Sequence, residues 1–260
     1  MILDEIAADT RKRVAAEKEQ ISLEEMKRQA EAMSADTGFP FEQALRAEGI
    51  QFICEVKKAS PSKGVITEEF PYLDIARDYE RAGAAAISVL TEPYYFKGSN
   101  AYLKEIAETV KMPVLRKDFT VDPYMIYQAK VLGADAVLLI CAILTDEELS
   151  EYHKIADSLG LSALVEAHDE AEVSRALACG ARIIGVNNRD LRDFKVDITN
   201  SVRLRKMVPE EIVFVSESGM KTPEDIAVLR GNGTDAVLIG EVLMRSADKK
   251  EALEKLRGNV

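Results

Sequence analysis

Apolar residues in this chain gather in short unbroken runs, and longer stretches of helical periodicity separate one run from the next. Phe52 to Lys57, Pro113 to Lys117, Ala136 to Ile140, Ala163 to Glu166, Ile212 to Glu217 and Ala236 to Ile239 are such runs. Stretches this short and this rich in Val, Ile and Leu read as strands covered on both faces, because a strand with one wet face would alternate. One pattern recurs beside them: Gly83-Ala-Ala-Ala-Ile87, Gly133-Ala-Asp-Ala-Val137, Gly180-Ala-Arg-Ile-Ile184 and Gly233-Thr-Asp-Ala-Val237. Each glycine closes an amphipathic stretch and opens an apolar one, where a left-handed residue stops a helix and turns the chain into a strand.

The four joints lie about fifty residues apart and each is preceded by one further apolar run, so every period carries two βα units and four periods carry eight strands. Alternation of this kind predicts an α/β fold, a (βα)8 TIM barrel, ahead of a doubly wound open sheet. The first fifty residues stand outside the repeat. Ile2 to Ile21, Leu23 to Met33 and Phe41 to Ala47 read as helices, with Gly38-Phe39-Pro40 as a break. They predict an N-terminal helical extension over 1–49 packed on a barrel over 50–260. No Ser/Gly-rich linker divides the two, so 1–260 is expected to form a single domain.

Composition sharpens this picture in three places. No apolar run is long enough to cross a bilayer and the segment Met1 to Gln20 carries charges of both signs, which predicts a soluble, cytoplasmic protein without a secretory signal. A formal net charge of -11 excludes a general nucleic-acid or membrane-surface role, so any phosphate is bound locally. Cys54, Cys141 and Cys179 form an odd set without the close spacing of a metal knuckle, and only two histidines are present. Acid and base work therefore falls to Lys and Glu.

The barrel site is expected at the carboxyl ends of the strands, and charged residues collect there. The first strand ends Glu55-Val-Lys57, the third Arg116-Lys117-Asp118, the fifth Val165-Glu166, the sixth Asn187-Asn-Arg189 and the seventh Ser216-Glu217-Ser218-Gly219. Residues two apart share a face, so Glu55 and Lys57 enter together, and Lys117, Glu166 and Glu217 each continue the inward face of an odd-numbered strand. Strand ends become polar in any protein, but buried charges at one mouth must pair or act. Either lysine is expected to pair with Glu55, Glu166 or Glu217. Ser218-Gly219 and Gly240, opposite Ser60-Pro-Ser-Lys-Gly64, predict a phosphate cup after strands seven and eight. Tyr94-Tyr95-Phe96 packs under the extension, walls an aromatic ligand, or does both. His168 follows Glu166 by two, as a proton shuttle would, but reads rather as a loop residue before the helix starting at Asp169-Glu170, and Asp248 to Arg257 reads as a solvated helix face.

These strand ends resemble the indole-3-glycerol-phosphate synthase family. The likeness rests on Glu55-Val-Lys57-Lys-Ala-Ser60-Pro-Ser62-Lys-Gly, Ser88-Val-Leu-Thr-Glu92 with Tyr95-Phe96-Lys-Gly98-Ser99, Leu115-Arg-Lys117-Asp118-Phe119, Leu164-Val-Glu166, Gly185-Val-Asn187-Asn-Arg189-Asp-Leu191 and Ser216-Glu217-Ser218-Gly219. It runs in order through nearly the whole chain. It implies a small-molecule substrate, 1-(2-carboxyphenylamino)-1-deoxyribulose 5-phosphate, closed to an indole with loss of CO2 and water, and no cofactor or metal.

Carried over by position, the resemblance makes Lys117 the general acid on the keto oxygen, Glu166 the carboxylate of the dehydration and Lys57 the second lysine. Glu55 and Glu217 orient the network, and Asn187 and Arg189 sit beside the anthranilate carboxylate. Phe96 and Phe119 wall the ring. Ser60, Ser218, Gly219 and Gly240 hold the phosphate together with Glu241, whose acidic side chain must turn away so that only its backbone N–H contributes. A monomer is expected, with a pathway enzyme as an allowed partner. The alternatives are another phosphate-binding barrel, such as phosphoribosylanthranilate isomerase, which would show a Cys/Asp pair, or a non-catalytic sugar-phosphate-binding barrel. Retention of both lysines and all three glutamates weighs against the latter.

Overall fold

Eight parallel strands close on themselves in a computed structural model that describes residues 2–190 and 194–258. They are β1 (Gln51–Val56), β2 (Ala86–Leu90), β3 (Val114–Lys117), β4 (Ala136–Ile140), β5 (Ser162–Ala167), β6 (Ile183–Asn187), β7 (Val213–Glu217) and β8 (Ala236–Ile239). The ring closes because β1 pairs with β2 on one side, Ile53 opposite Ala86, and with β8 on the other, Gln51 opposite Ala236. The predicted eight-fold barrel is therefore what the chain forms.

The joints explain the recurring motif. Gly83, Gly133, Gly180 and Gly233 all have φ between 75° and 85°, and the residue after each sends its N–H back to a carbonyl of the preceding helix, as Ala134 does to Ala129. At two joints the motif's aspartate adds a pin: Asp135 accepts the N–H of Val114 and Asp235 that of Phe214. The repeat thus fixes the register of β3 and β7, strands that later carry charged residues.

Three helices precede the barrel, α1 (Ile2–Gln20), α2 (Leu23–Glu31) and α3 (Pro40–Leu45). Pro40 is the first residue of α3 rather than part of a break, which suits a residue whose missing N–H would go unbonded in a first turn. Phe41 and Leu45 of α3 are fully buried among the first inward residues of the strands, including Ala86, Ile183, Val213 and Ala236, and so plug the amino end of the barrel. Around the ring lie α4 (Tyr72–Arg81), α5 (Asn100–Thr109), α6 (Pro123–Val131), α7 (Asp146–Ser158), α8 (Glu170–Ala178), α9 (Thr199–Leu204), α10 (Pro223–Gly231), α11 (Glu241–Arg245) and α12 (Lys249–Arg257). The α12 face is less solvated than expected: Leu253 and Leu256 are buried, and Arg257 bonds the carbonyls of Ala82 and Gly83 at the first joint. Among the described residues no helix is long and apolar enough to cross a membrane.

Helix α1 is fastened to the other end of the barrel by charge. Asp118, one residue past β3, is almost completely buried and accepts two hydrogen bonds from Arg13 at 2.8 and 2.9 Å and one from Thr91 Oγ1 at 2.5 Å. Arg116 stands 3.6 Å from the same carboxylate and anchors itself on Gln128 and the Met125 carbonyl. A carboxylate this deep depends on its cations. Arg13→Leu leaves only the more distant Arg116 beside Asp118 and is expected to lower unfolding free energy by about 3 kcal/mol, read from the urea midpoint. A loss under about 0.5 kcal/mol, the range of an ordinary surface change, would show that the clamp contributes little.

Candidate active site

Inward parity brings the charged residues together. On β1 the inner cluster takes Ile53, on β3 Leu115, on β5 Leu164 and on β7 Val213 and Val215, so the next inward positions are Glu55, Lys117, Glu166 and Glu217. Asn187 continues the phase of Ile183 on β6, and Gly240 that of Ala236 and Leu238 on β8. Lys57 lies one residue beyond β1 rather than within it, with its ammonium folded back onto Glu55. Every site residue expected above lines one cavity of about 710 Å³ at the carboxyl ends of the strands, from Glu55 through Phe96, Lys117 and Arg189 to Glu241.

At its floor the Lys117 ammonium lies 3.0 Å from Glu166 Oε2 and 3.3 Å from Glu217 Oε2. Glu166 Oε1 accepts a hydrogen bond from Asn187 at 3.3 Å. Burial alone would drive the lysine toward its neutral form, but Glu166, Glu217 and Glu55 more than offset it and hold the Lys117 pKa above that of an ordinary lysine. Burial pushes both carboxyls up as well. For Glu166, the attraction of Lys117 and then His168 overcomes it and holds the group below the usual carboxylate range. For Glu217, burial prevails over Lys117, with Glu166 and Glu55 adding repulsion, and the group rises to about 7. Three acids and two lysines thus form a cluster in which the resting ammonium is kept charged by its acids and one carboxyl is raised to about 7, a combination able to donate and accept protons at pH 7.

Two glycines make room for these side chains. A Cβ on Gly185 would overlap Glu217 Oε1 and come within 3.1 Å of Leu164; one on Gly240 would stand 2.5 Å from Glu55 Oε1 and 3.1 Å from Lys57 Nζ. The segments expected to hold a phosphate lie beside them. Ser218 and Gly219 are both left-handed, at φ 66° and 98°. Asn188, which is buried, holds that turn by donating to the Ser218 carbonyl at 3.0 Å and to Ser216 Oγ at 2.9 Å. Ser60 sits in a small hairpin that pairs Ala59–Ser60 with Gly64–Val65. The Glu241 carboxylate is engaged by Lys63 at 3.5 Å and Arg245 at 3.3 Å, which leaves its backbone as the part free to meet an anion. Lys63 and Arg245 bring positive charge to the rim, and both are additions to the expected set.

The upper wall is aromatic. Phe96 and Phe119 face each other with ring centroids 5.9 Å apart, and Ile2, Leu3 and Ile6 of α1 close over the same cavity. The aromatic trio divides its duties: Tyr95 bonds Asp9 of α1 at 2.9 Å, Phe96 lines the cavity and Tyr94 is exposed. Arg189 lines the cavity while bonding the Phe194 carbonyl, and its N–H donates to Asn187 Oδ1 at 3.0 Å. Leu191, at the end of that motif, lies outside the described residues. His168 lies in the loop before α8, as expected, and its Nε2 stands 3.5 Å from Glu166 Oε1.

The profile of the family described as Indole-3-glycerol phosphate synthase matches residues 3–256. The chain is 60% identical over 259 residues to an indole-3-glycerol phosphate synthase of Ruminiclostridium cellulolyticum, covering 100% of both chains. It is 55% identical over 257 residues to one of Endomicrobium trichonymphae, covering 99% of this chain and 100% of that protein. Among solved structures, a 3-hexulose-6-phosphate synthase superposes with a TM-score of 0.64 at 16% identity, covering 81% of this chain and 100% of its own. A thiamine phosphate pyrophosphorylase from Pyrococcus furiosus superposes at 0.59 and 17% identity, covering 84% of this chain and 96% of its own. At such identities these two share the barrel alone.

The Glu217 shift predicts the pH dependence of stability. Its folded pKa is raised, so the folded state binds a proton more tightly than the unfolded chain, and stability falls as pH rises from about 4.5 to about 7. Glu217→Gln removes this slope, on the order of 2 kcal/mol over that window. Denaturant titrations at pH 5 and 8 check it; equal slopes in wild type and variant would show that Glu217 titrates normally.

Proposed function

The chain belongs to the indole-3-glycerol phosphate synthase family, and from that premise we propose that it acts as a carboxy-lyase. It converts 1-(2-carboxyphenylamino)-1-deoxyribulose 5-phosphate into indole-3-glycerol phosphate, CO2 and water, a step of tryptophan biosynthesis. The observation that carries this reading is the Lys117 ammonium between Glu166 and Glu217, at the floor of a cavity with an aromatic wall above it and an anion cup at one side.

The substrate phosphate binds at Ser60, Ser218, Gly219, Gly240 and the Glu241 backbone, with Lys63 and Arg245 supplying counter-charge. Its benzene ring lies against Phe96 and Phe119, and its carboxylate lies toward Asn187 and Arg189. In ring closure the carboxylate-bearing aromatic carbon attacks the keto carbon, while the keto oxygen takes the Lys117 proton. A lysine kept charged by its acids is loaded for that transfer in every turnover. The electrons of the C–CO2 bond then restore the aromatic ring as CO2 departs, and dry aromatic walls favour the loss by leaving the carboxylate poorly solvated. Dehydration follows: Glu166 removes the proton from carbon, and the hydroxyl leaves with a proton from the lysine pair. Glu55 holds Lys57 and Glu217 holds Lys117, which keeps each lysine in place at the cavity floor.

The chain contains no Trp, so an indole product emits above a Tyr-only background. Addition of the carboxyphenylamino-deoxyribulose phosphate is expected to produce indole fluorescence with the wild type, at a rate about 100-fold or more above that of folded Lys117→Ala, the scale of a lost general acid. Equal rates would remove Lys117 from the mechanism. Silence from both, with substrate still bound, would make this a binding barrel.

A further inference from the structure

The proposed reaction does not conserve protons within the site. Closure takes one proton onto the keto oxygen, dehydration puts a second on the leaving hydroxyl, and only one returns, from carbon. A substrate with an ionised carboxylate therefore becomes product, CO2 and water by consuming one proton from solvent per turnover. While the cavity is filled, that proton has to reach the cluster by a way other than the mouth lined by the two phenylalanines and the start of α1.

A line of titratable groups leads from that cluster to the outside. Lys117 Nζ is 3.0 Å from Glu166 Oε2, and Glu166 Oε1 is 3.5 Å from His168 Nε2. On its other edge, His168 Nδ1 is 3.0 Å from Glu172 Oε2. The two outer groups are both more exposed than the inner acid, with the Glu166 side chain 3% accessible, His168 20% and Glu172 16%. Nε2 itself is buried and, among the described residues, has no hydrogen-bond partner, so it is aimed at Glu166 across a gap that about half an ångström of ring movement would close. Asn200 Nδ2 fixes the segment by donating to the His168 carbonyl at 3.0 Å, and the His168 N–H is held by Glu172.

We infer that His168 and Glu172 form the proton path that returns one proton per turnover from solvent to Glu166 and on to Lys117. The inference rests on the reaction proposed above. His168 is a positioning and relay residue rather than one that touches substrate. Its ring takes a proton at Nδ1 from the Glu172 side and gives the Nε2 proton to Glu166, returning to its starting form by exchange of the ring protons. The charged groups facing it are Glu166 on β5, Glu172 on α8 and Glu217 on β7. Burial lowers its pKa, but these acids prevail and raise it above that of an ordinary histidine.

The test uses the full-length protein with His168→Gln, which keeps an amide near Glu166 but carries no exchangeable charge, and with Glu172→Gln. Both are expected to lower kcat, the first about tenfold or more, within the scale of proton-transfer catalysis, with KM unchanged and a larger solvent deuterium effect on kcat. In His168→Ala, added imidazole is expected to restore kcat several-fold while leaving the wild type unaffected. An unchanged kcat and isotope effect in His168→Gln, or a loss confined to KM that imidazole does not relieve, overturns the relay while leaving the proposed reaction intact. A wild type that forms no indole product overturns both.

Discussion

One ammonium group held between two carboxylates organises this molecule. A charge as deep as that of Lys117 is tolerated only because Glu166 and Glu217 stand within 3.3 Å, and those acids in turn are tolerated only because the lysine is there. Much of the surrounding structure serves this arrangement. Gly185 leaves the space that the Glu217 carboxylate fills, Asn187 supplies a donor to Glu166, and Gly240 yields to the neighbouring Glu55–Lys57 pair. Mutual dependence also gives the cluster its asymmetry: Glu166 takes most of the attraction and stays ionised, while Glu217 is left to titrate near pH 7. Chemistry that needs both a loaded acid and a ready base thus follows from packing.

The barrel and its extension place this cluster under cover. The plug of α3 closes the amino end with Phe41 and Leu45, so the polar mouth is at the carboxyl end alone. At that end, α1 reaches across through the Arg13–Asp118 pair and lays Ile2, Leu3 and Ile6 over the cavity. Asp118 stands between Lys117 and Phe119, so the same contact that fastens the extension also steadies the acid and the aromatic wall on either side of it. Stability and site geometry are joined at this residue.

Much of this was legible in the chain because it is written in local periodicity. The Gly joints carry a backbone requirement, and the odd-numbered strands carry a phase that puts Glu55, Lys117, Glu166 and Glu217 inside. What local pattern could not carry was contact between distant segments. Lys63 and Arg245 look like ordinary solvated cations until the fold brings them together at Glu241. His168 precedes a helix N-cap, Asp169, and that signal masks its approach to Glu166, which depends on how the strand end turns. Arg257 lies in a charged helix whose role at the Gly83 joint, far back in the chain, is invisible without the structure. Pro40 carries opposite meanings as a break and as a helix start, and the choice between them comes from burial of Phe41 beside it.

Lys117 remains an ammonium because its two acids outweigh its burial. Nitrogen-detected NMR of the Lys117 Nζ across pH 6 to 10 tests it most directly, with the Glu166→Gln and Glu217→Gln proteins as references. A Lys117 signal of ammonium type is expected throughout in the wild type, with a fall in its pKa when either acid is neutralised. A wild-type Lys117 that deprotonates below its ordinary lysine pKa, or one indifferent to loss of Glu166, would contradict it.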